Sequence, residues 1–186
     1  MEKVLQDKRV YELLEEVDRD LALKAQAGGC EHCGGALHRG DYARKPRGGP
    51  GWEKRHSFCC SREGCRKRKT PVSVRFLGRK VYVGVVVVLV SAMMHGLTEG
   101  RVKRLCRALG IDRRTVQHWR EWWMRTFVRG VFWRAERGRF RPPVVKEQMP
   151  LGLVEAFGAW RREGLVNLLK FLSPLTTSSC RGVLAM

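Results

Sequence analysis

Phe58-Cys59-Cys60-Ser61-Arg62-Glu63-Gly64-Cys65-Arg66-Lys67-Arg68-Lys69 is the second half of a cysteine pattern that begins at Cys30-Glu31-His32-Cys33-Gly34. The whole reads C-x2-C, 26 intervening residues, then C-x4-C. Two short cysteine-bearing turns at this separation bring four thiolates to one tetrahedral centre. That is the closed, sulfur-rich geometry zinc takes when its role is structural. Cys30, Cys33, Cys60 and Cys65 are the expected ligands. Cys59 competes for the third place, but an aromatic two residues ahead of the ligand, here Phe58, is the usual strand-to-knuckle spacing and favours Cys60. His32, His38 and His56 are alternative nitrogen donors, read here as surface or phosphate-contacting residues. A four-cysteine set leaves no open coordination position, so a catalytic metal is not expected.

Outward from the cysteines, residues 30–79 read as one metal module. Gly34-Gly35, Gly40 and Lys45-Pro46-Arg47-Gly48-Gly49-Pro50-Gly51 cannot sustain a helix. Short segments around Leu37–Tyr42, Arg55–Cys59 and Val72–Leu77 carry the alternation and β-branched or aromatic content of strands. Knuckle, strand, loop, strand, knuckle, strand is the layout of a zinc ribbon. So small a module buries too little apolar area to fold unaided, so a structural Zn2+ is expected to supply much of its stability.

The module is also strongly cationic, with 14 Lys and Arg against four acids between Cys30 and Lys80. Arg44, Lys45 and Arg47 belong to the glycine-rich loop, Arg66, Lys67 and Arg68 follow the last ligand, and Arg75, Arg79 and Lys80 come just beyond. Over the whole chain 37 Lys+Arg face 18 Asp+Glu, a formal charge of +19. Charge of this sign and size implies a polyanionic partner, bound through phosphates with release of counterions. The charge is uneven, since residues 1–29 carry five cations and seven acids. That stretch therefore lies off the basic surface.

Residues 3–26 have the apolar rhythm of a packing or dimerisation helix, closed by Gly28-Gly29. Lys80–His95 is apolar all round and reads as a buried helix, with a buried strand over 81–90 as the competing assignment. At 14 residues, the apolar run from Val81 to Met94 is short of the roughly 20 that a membrane-spanning helix needs. Thr98 is placed to cap a helix over Glu99–Leu109, Gly110 breaks it, and Asp112 caps another from Arg113. Helix, glycine turn, helix is the helix-turn-helix layout. In the second helix Val116, Trp119 and Trp123 share one face, while Arg114, Gln117, His118, Glu121 and Arg125 share the other. Arg113 sits in the first turn and Trp122 on the boundary between faces. Arginine pairs with guanine and glutamine with adenine in the major groove, so Arg113, Arg114, Gln117 and His118 are the candidate DNA contacts. Residues 142–186 read as a weakly amphipathic helix over 151–172 and a loosely structured tail, of no assigned role.

The expected architecture is α+β and mostly helical: an amphipathic helix over 1–29, a zinc ribbon over 30–79, a helix-turn-helix domain over 80–141, and a C-terminal segment over 142–186. The seven cysteines are clustered, and the amino-terminal residues lack the apolar core of a signal peptide. Both point to a reducing, cytoplasmic setting with nucleoid association and no membrane. No paired carboxylates, phosphate loop or nucleophile motif is visible, so an enzyme is not expected.

Gly64-Cys65-Arg66-Lys67-Arg68 with Thr70-Pro71, followed by Leu109-Gly110-Ile111-Asp112-Arg113-Arg114-Thr115-Val116 and Trp119, resembles the DNA-binding region of insertion-sequence transposases. It is similar as well to the short companion proteins of such elements, which have no catalytic domain. The resemblance covers roughly residues 30–130, although the C-x4-C knuckle is looser than the usual C-x2-C. It implies binding of double-stranded DNA at an element's terminal repeats, as accessory to a separate transposase or as repressor. The amino-terminal part of a transposase with a separate or lost catalytic domain is one alternative, and an RNA-binding ribbon protein is another.

Overall fold

The computed structural model describes residues 7–44, 53–76, 84–93 and 98–176. The chain is α+β and mostly helical. Helix α1 spans Lys8–Ala27. Asp7 caps it, its carboxylate accepting from the Arg9 amide at 3.0 Å, which satisfies one of the donors a helix start leaves free. Val10, Tyr11, Leu14, Asp18 and Ala22 form its buried face.

Five short strands follow among the described residues. Strands β1 (Leu37–Arg39), β4 (Phe58–Cys60) and β5 (Arg68–Lys69) make an antiparallel sheet in the order β1-β4-β5. Its register sets Leu37 opposite Cys60 and Phe58 opposite Lys69. Strands β2 (Tyr42–Arg44) and β3 (Glu53–Arg55) pair as a separate hairpin, Tyr42 opposite Arg55. Between the two pairings, Asp41 accepts from the Ser57 amide at 3.0 Å and faces His56 at 3.4 Å.

The strand expected over Val72–Leu77 does not form along its described length. The third strand is Arg68–Lys69 instead, and residues 70–76 run as a bent segment with only an isolated bridge residue at Phe76. The cause is Asp18. Its carboxylate accepts from the Val74 amide at 2.7 Å, the Ser73 hydroxyl at 2.6 Å and Arg75 Nε at 2.9 Å. Those bonds take the place of ladder partners. The Arg75 guanidinium continues to the Lys54 carbonyl at 2.8 Å.

Helix α2 (Gly84–Met93) buries Val86, Val87, Val88, Leu89, Val90 and Ala92. Valine is a modest helix former, but a helix that is apolar all round gains most at the centre of a bundle. There it touches helices α4 (Arg113–Glu121), α6 (Leu151–Ala156) and α7 (Arg162–Leu172). Among the described residues no helix is long and apolar enough to cross a membrane; Val81–Val83 and Met94 lie outside them. Helices α3 (Glu99–Leu109) and α5 (Val131–Glu136) complete the set.

The apolar residues divide into two clusters rather than along the sequence-based boundaries. The smaller joins Ala22, Cys30, Leu37, Phe58 and Cys60. The larger runs from Val10, Tyr11 and Leu14 through α2, α3 and α4 to Leu165, Leu168, Leu172 and Leu175. Helix α1 therefore serves both clusters, and residues 151–175 are an integral part of the helical core. The tail expected to be loose from Ser173 starts with a 3-10 turn, Ser173–Thr176, that buries Leu175; residues 177–186 lie outside the described set.

Candidate metal centre and nucleic-acid interface

The four predicted cysteines converge. Cys30 and Cys65 sulfurs are 3.8 Å apart, those of Cys33 and Cys60 3.5 Å, and all four lie within 4.8 Å of one another. Four sulfurs about 2.3 Å from a tetrahedral zinc are separated by about 3.8 Å, whereas a disulfide needs about 2.05 Å. All four are free thiols, and the cluster can hold a metal ion.

Each knuckle is built by its own backbone. The Gly34 amide donates to the Cys30 carbonyl at 2.8 Å and the Cys30 amide to that of Gly35 at 2.9 Å. On the second side the Cys65 amide donates to the Arg62 carbonyl at 3.2 Å, and the Cys60 amide to that of Lys67 at 2.9 Å. Gly35 is needed for space: a Cβ there would stand 3.1 Å from the Cys60 sulfur and 3.3 Å from that of Cys33.

Hydrogen bonds from the His32 and Cys33 backbone lower the Cys30 thiol to about 7. At Cys60 the Arg62 amide pulls downward, but burial and the neighbouring thiols prevail and push it up to about 12. Four mutually crowding thiols of which one ionises readily form a donor set that a cation would complete, since coordination deprotonates each thiol. Cys59 lies outside the cluster and donates to the Arg66 carbonyl at 3.4 Å.

The cations of the module separate into two groups. Arg66, Lys67 and Arg68 are exposed after the last cysteine. Arg75 is not a surface cation at all: it is 3% exposed and held by Asp18. Arg44 lies half-buried, its guanidinium 5.7 Å from the Tyr42 ring centre and 5.9 Å from that of Phe76. The guanidinium groups of Arg55 and Arg75 also approach Phe76, at 5.9 and 5.2 Å, so one buried ring collects cations from three segments. Burial draws the Arg55 guanidinium below its usual range, with Asp18 pulling the other way. Lys45, Arg47, Arg79 and Lys80 lie outside the described residues.

In the helical part Gly110 adopts a left-handed φ of 60°, which closes α3 and turns the chain into α4. Asp112 caps α4, accepting from the Arg114 amide at 2.7 Å. Thr98 stands at the N-cap of α3 but makes no side-chain capping bond. Val116 and Trp119 are buried, whereas Arg113, Arg114, Gln117 and His118 are exposed together. Arg113 pairs with Glu99 across the turn between the two helices.

From Trp122 to Phe127 the helix widens to π geometry. The wider turn lets both Trp122 and Trp123 face inward, at 3% and 0% exposure, so Trp122 packs and is not available to stack on a base. Trp122 meets Trp123 edge-on, and a chain of ring contacts then passes through Phe127, Trp133 and Phe140 to Phe171 of α7. The C-terminal helices thus buttress the exposed face of α4 from behind.

Asp18 is the positioning residue that periodicity alone overlooks. It occupies the same face of α1 as Leu14 and Ala22, four residues to either side. A carboxylate in an apolar stripe signals a buried partner, but nothing local identifies that partner as Arg75. Comparison with family models, with curated proteins and with solved structures yields no match to this chain.

Proposed function

We propose that the protein binds double-stranded DNA without catalysing a reaction on it, through a structural zinc ribbon and a helix-turn-helix. The observation that carries this reading is the exposure of Arg113, Arg114, Gln117 and His118 on one side of α4 while Val116 and Trp119 anchor the other. Helices α3 and α4, joined through Gly110-Ile111-Asp112, supply the helix-turn-helix. In that motif the amino-terminal part of the second helix enters the major groove. Arg114 and Gln117 have the donor and acceptor sets that read guanine and adenine edges.

Cys30, Cys33, Cys60 and Cys65 hold Zn2+, whose role is to fold the ribbon. Arg66, Lys67 and Arg68 follow the last ligand, and their exposed charges attract phosphate irrespective of sequence. The resemblance to insertion-sequence proteins supports a role at the terminal repeats of a mobile element, as transposition accessory or repressor. Selection of duplexes from a random pool, with zinc measured on the same sample, tests the reading. Enrichment of a defined motif by a protein carrying one zinc supports it, and retention of random duplexes alone refutes base reading.

A further inference from the structure

Residues 98–141 carry 13 Lys and Arg but only four acids. Every one of those acids is engaged: Glu99 with Arg113, Glu121 with Arg125, Glu136 with Arg139, and Asp112 as the cap of α4. None of these pairs involves the arginines around a cleft of about 620 Å³ at the far end of the same helix. Arg129, Arg137, Arg141 and Lys146 line it with a single acid, Glu147, over a wall that includes Trp133. Among the described residues neither Arg129 nor Arg137 has an ion-pair partner, although both are exposed. Arg141 is tied by its guanidinium to the Gly138 and Phe140 carbonyls at 3.3 and 3.2 Å. Lys146 and Glu147 stand 3.7 Å apart, so the acid offsets one cation and leaves three. Like charges lining one cleft raise the local affinity for an anion.

The cleft is mechanically continuous with the exposed face of α4. Residues 113–129 form one unbroken helix through the π segment, and Met124, Val128 and Arg129 from that helix make one wall of the cleft. Arg129 lies fifteen positions beyond Arg114, on the order of 20 Å along the axis. That is less than one turn of duplex DNA, about 34 Å. A duplex seated on Arg114 and Gln117 therefore has backbone within reach of the cleft.

We propose that this cleft grips the sugar–phosphate backbone of the duplex that flanks the bases read by α4. The inference rests on the DNA-binding reading given above. Guanidinium groups suit the task because they bind phosphate oxygens in a bidentate fashion. The partner is duplex DNA, and a contact of this kind adds affinity without adding sequence information.

The test uses the full zinc-loaded chain, a pool-selected duplex and an unrelated duplex of equal length. Arg129→Gln with Arg137→Gln should weaken both duplexes by the same factor, about tenfold. The plot of log affinity against log salt should become shallower by about two, at roughly 0.9 per lost phosphate contact. Arg129→Lys with Arg137→Lys should restore most of the loss. Glu147→Lys shifts charge the opposite way and should steepen the slope by about one, so the idea stays testable if the double variant folds poorly. An unchanged slope in both directions overturns it, as does a loss confined to the selected duplex or equal competition by RNA. If Arg114→Ala with Gln117→Ala leaves sequence preference intact while the cleft variants behave as stated, base reading by α4 fails and the cleft stands. A wild-type chain that retains no duplex ends both.

Discussion

Asp18 and Arg75 stand 57 residues apart in the chain and meet at 2.9 Å, where neither side chain reaches solvent. The pair joins α1 to the segment that leaves the cysteine module, and the Lys54 carbonyl brings the β2–β3 hairpin to the same point. A buried ion pair is not in itself a large source of stability, but removing one member leaves the other charge uncompensated.

Asp18→Ala should therefore lower the unfolding free energy by about 3–5 kcal/mol, measured by urea denaturation of the zinc-loaded protein. Asp18→Asn retains an acceptor and should cost less. Replacing both partners, Asp18→Leu with Arg75→Met, should recover part of the loss. Recovery will be incomplete because Asp18 also holds the Val74 amide and the Ser73 hydroxyl.

Single Cys→Ser changes at Cys30, Cys33, Cys60 and Cys65 should each lower bound zinc well below one per chain. Cys59→Ser should leave it at one, because Cys59 is directed to the Arg66 carbonyl. Metal analysis of dialysed protein decides the matter, and zinc loss in the Cys59 variant would return that residue to the ligand set.

Chelation of zinc should unfold the cysteine module and loosen the carboxyl-terminal half of α1 along with it, since Ala22 packs in the cysteine cluster. The amino-terminal half, with Val10 and Leu14 in the larger cluster, should persist. Amide exchange resolves the two halves. Equal protection throughout α1 after chelation would show that the helix does not depend on the metal module.

Arg114→Ala with Gln117→Ala should reduce affinity for a selected duplex by about 1–3 kcal/mol per lost bidentate pair, with little change for an unrelated duplex. Equal loss on both would make these residues phosphate contacts.

Leu168→Ala should destabilise the helical core by about 2–5 kcal/mol, as Leu168 is fully buried on α7. DNA affinity should fall with it near the midpoint of unfolding, because α7 supports α4 through the aromatic chain. Thermal melting and duplex binding followed on the same samples provide the measurement.

What could be read directly from the residues was local. The inward and outward faces of α4 follow from helical phase over a dozen residues, and Gly110 and Asp112 act within one turn of their own positions. The cysteine set is likewise carried by spacing, with Phe58 distinguishing Cys60 from its neighbour. Positions 72–76 misled because alternation at Val72, Val74 and Phe76 imitates a strand, while Asp18, more than fifty residues away, captures the backbone. Arg75 looked like a surface cation for the same reason. On α7, Leu165, Leu168, Leu169 and Leu172 do follow the i, i+3, i+4, i+7 spacing of a buried stripe, but no local pattern shows that the partner covering it is α2, some eighty residues earlier. Trp122, on the boundary between the two faces of a regular 3.6-residue helix, is buried where the helix widens to π geometry.

Helix α1 touches the larger cluster at Leu14 and the cysteine cluster at Ala22, two turns and about 12 Å further on. It therefore acts as a ruler with a rotational setting. One residue inserted between Asp18 and Ala22 would lengthen it by only about 1.5 Å but turn the cysteine module by about 100° about the helix axis. The angular offset between the cysteine module and the helical core is thus encoded in the residue count between Asp18 and Ala22.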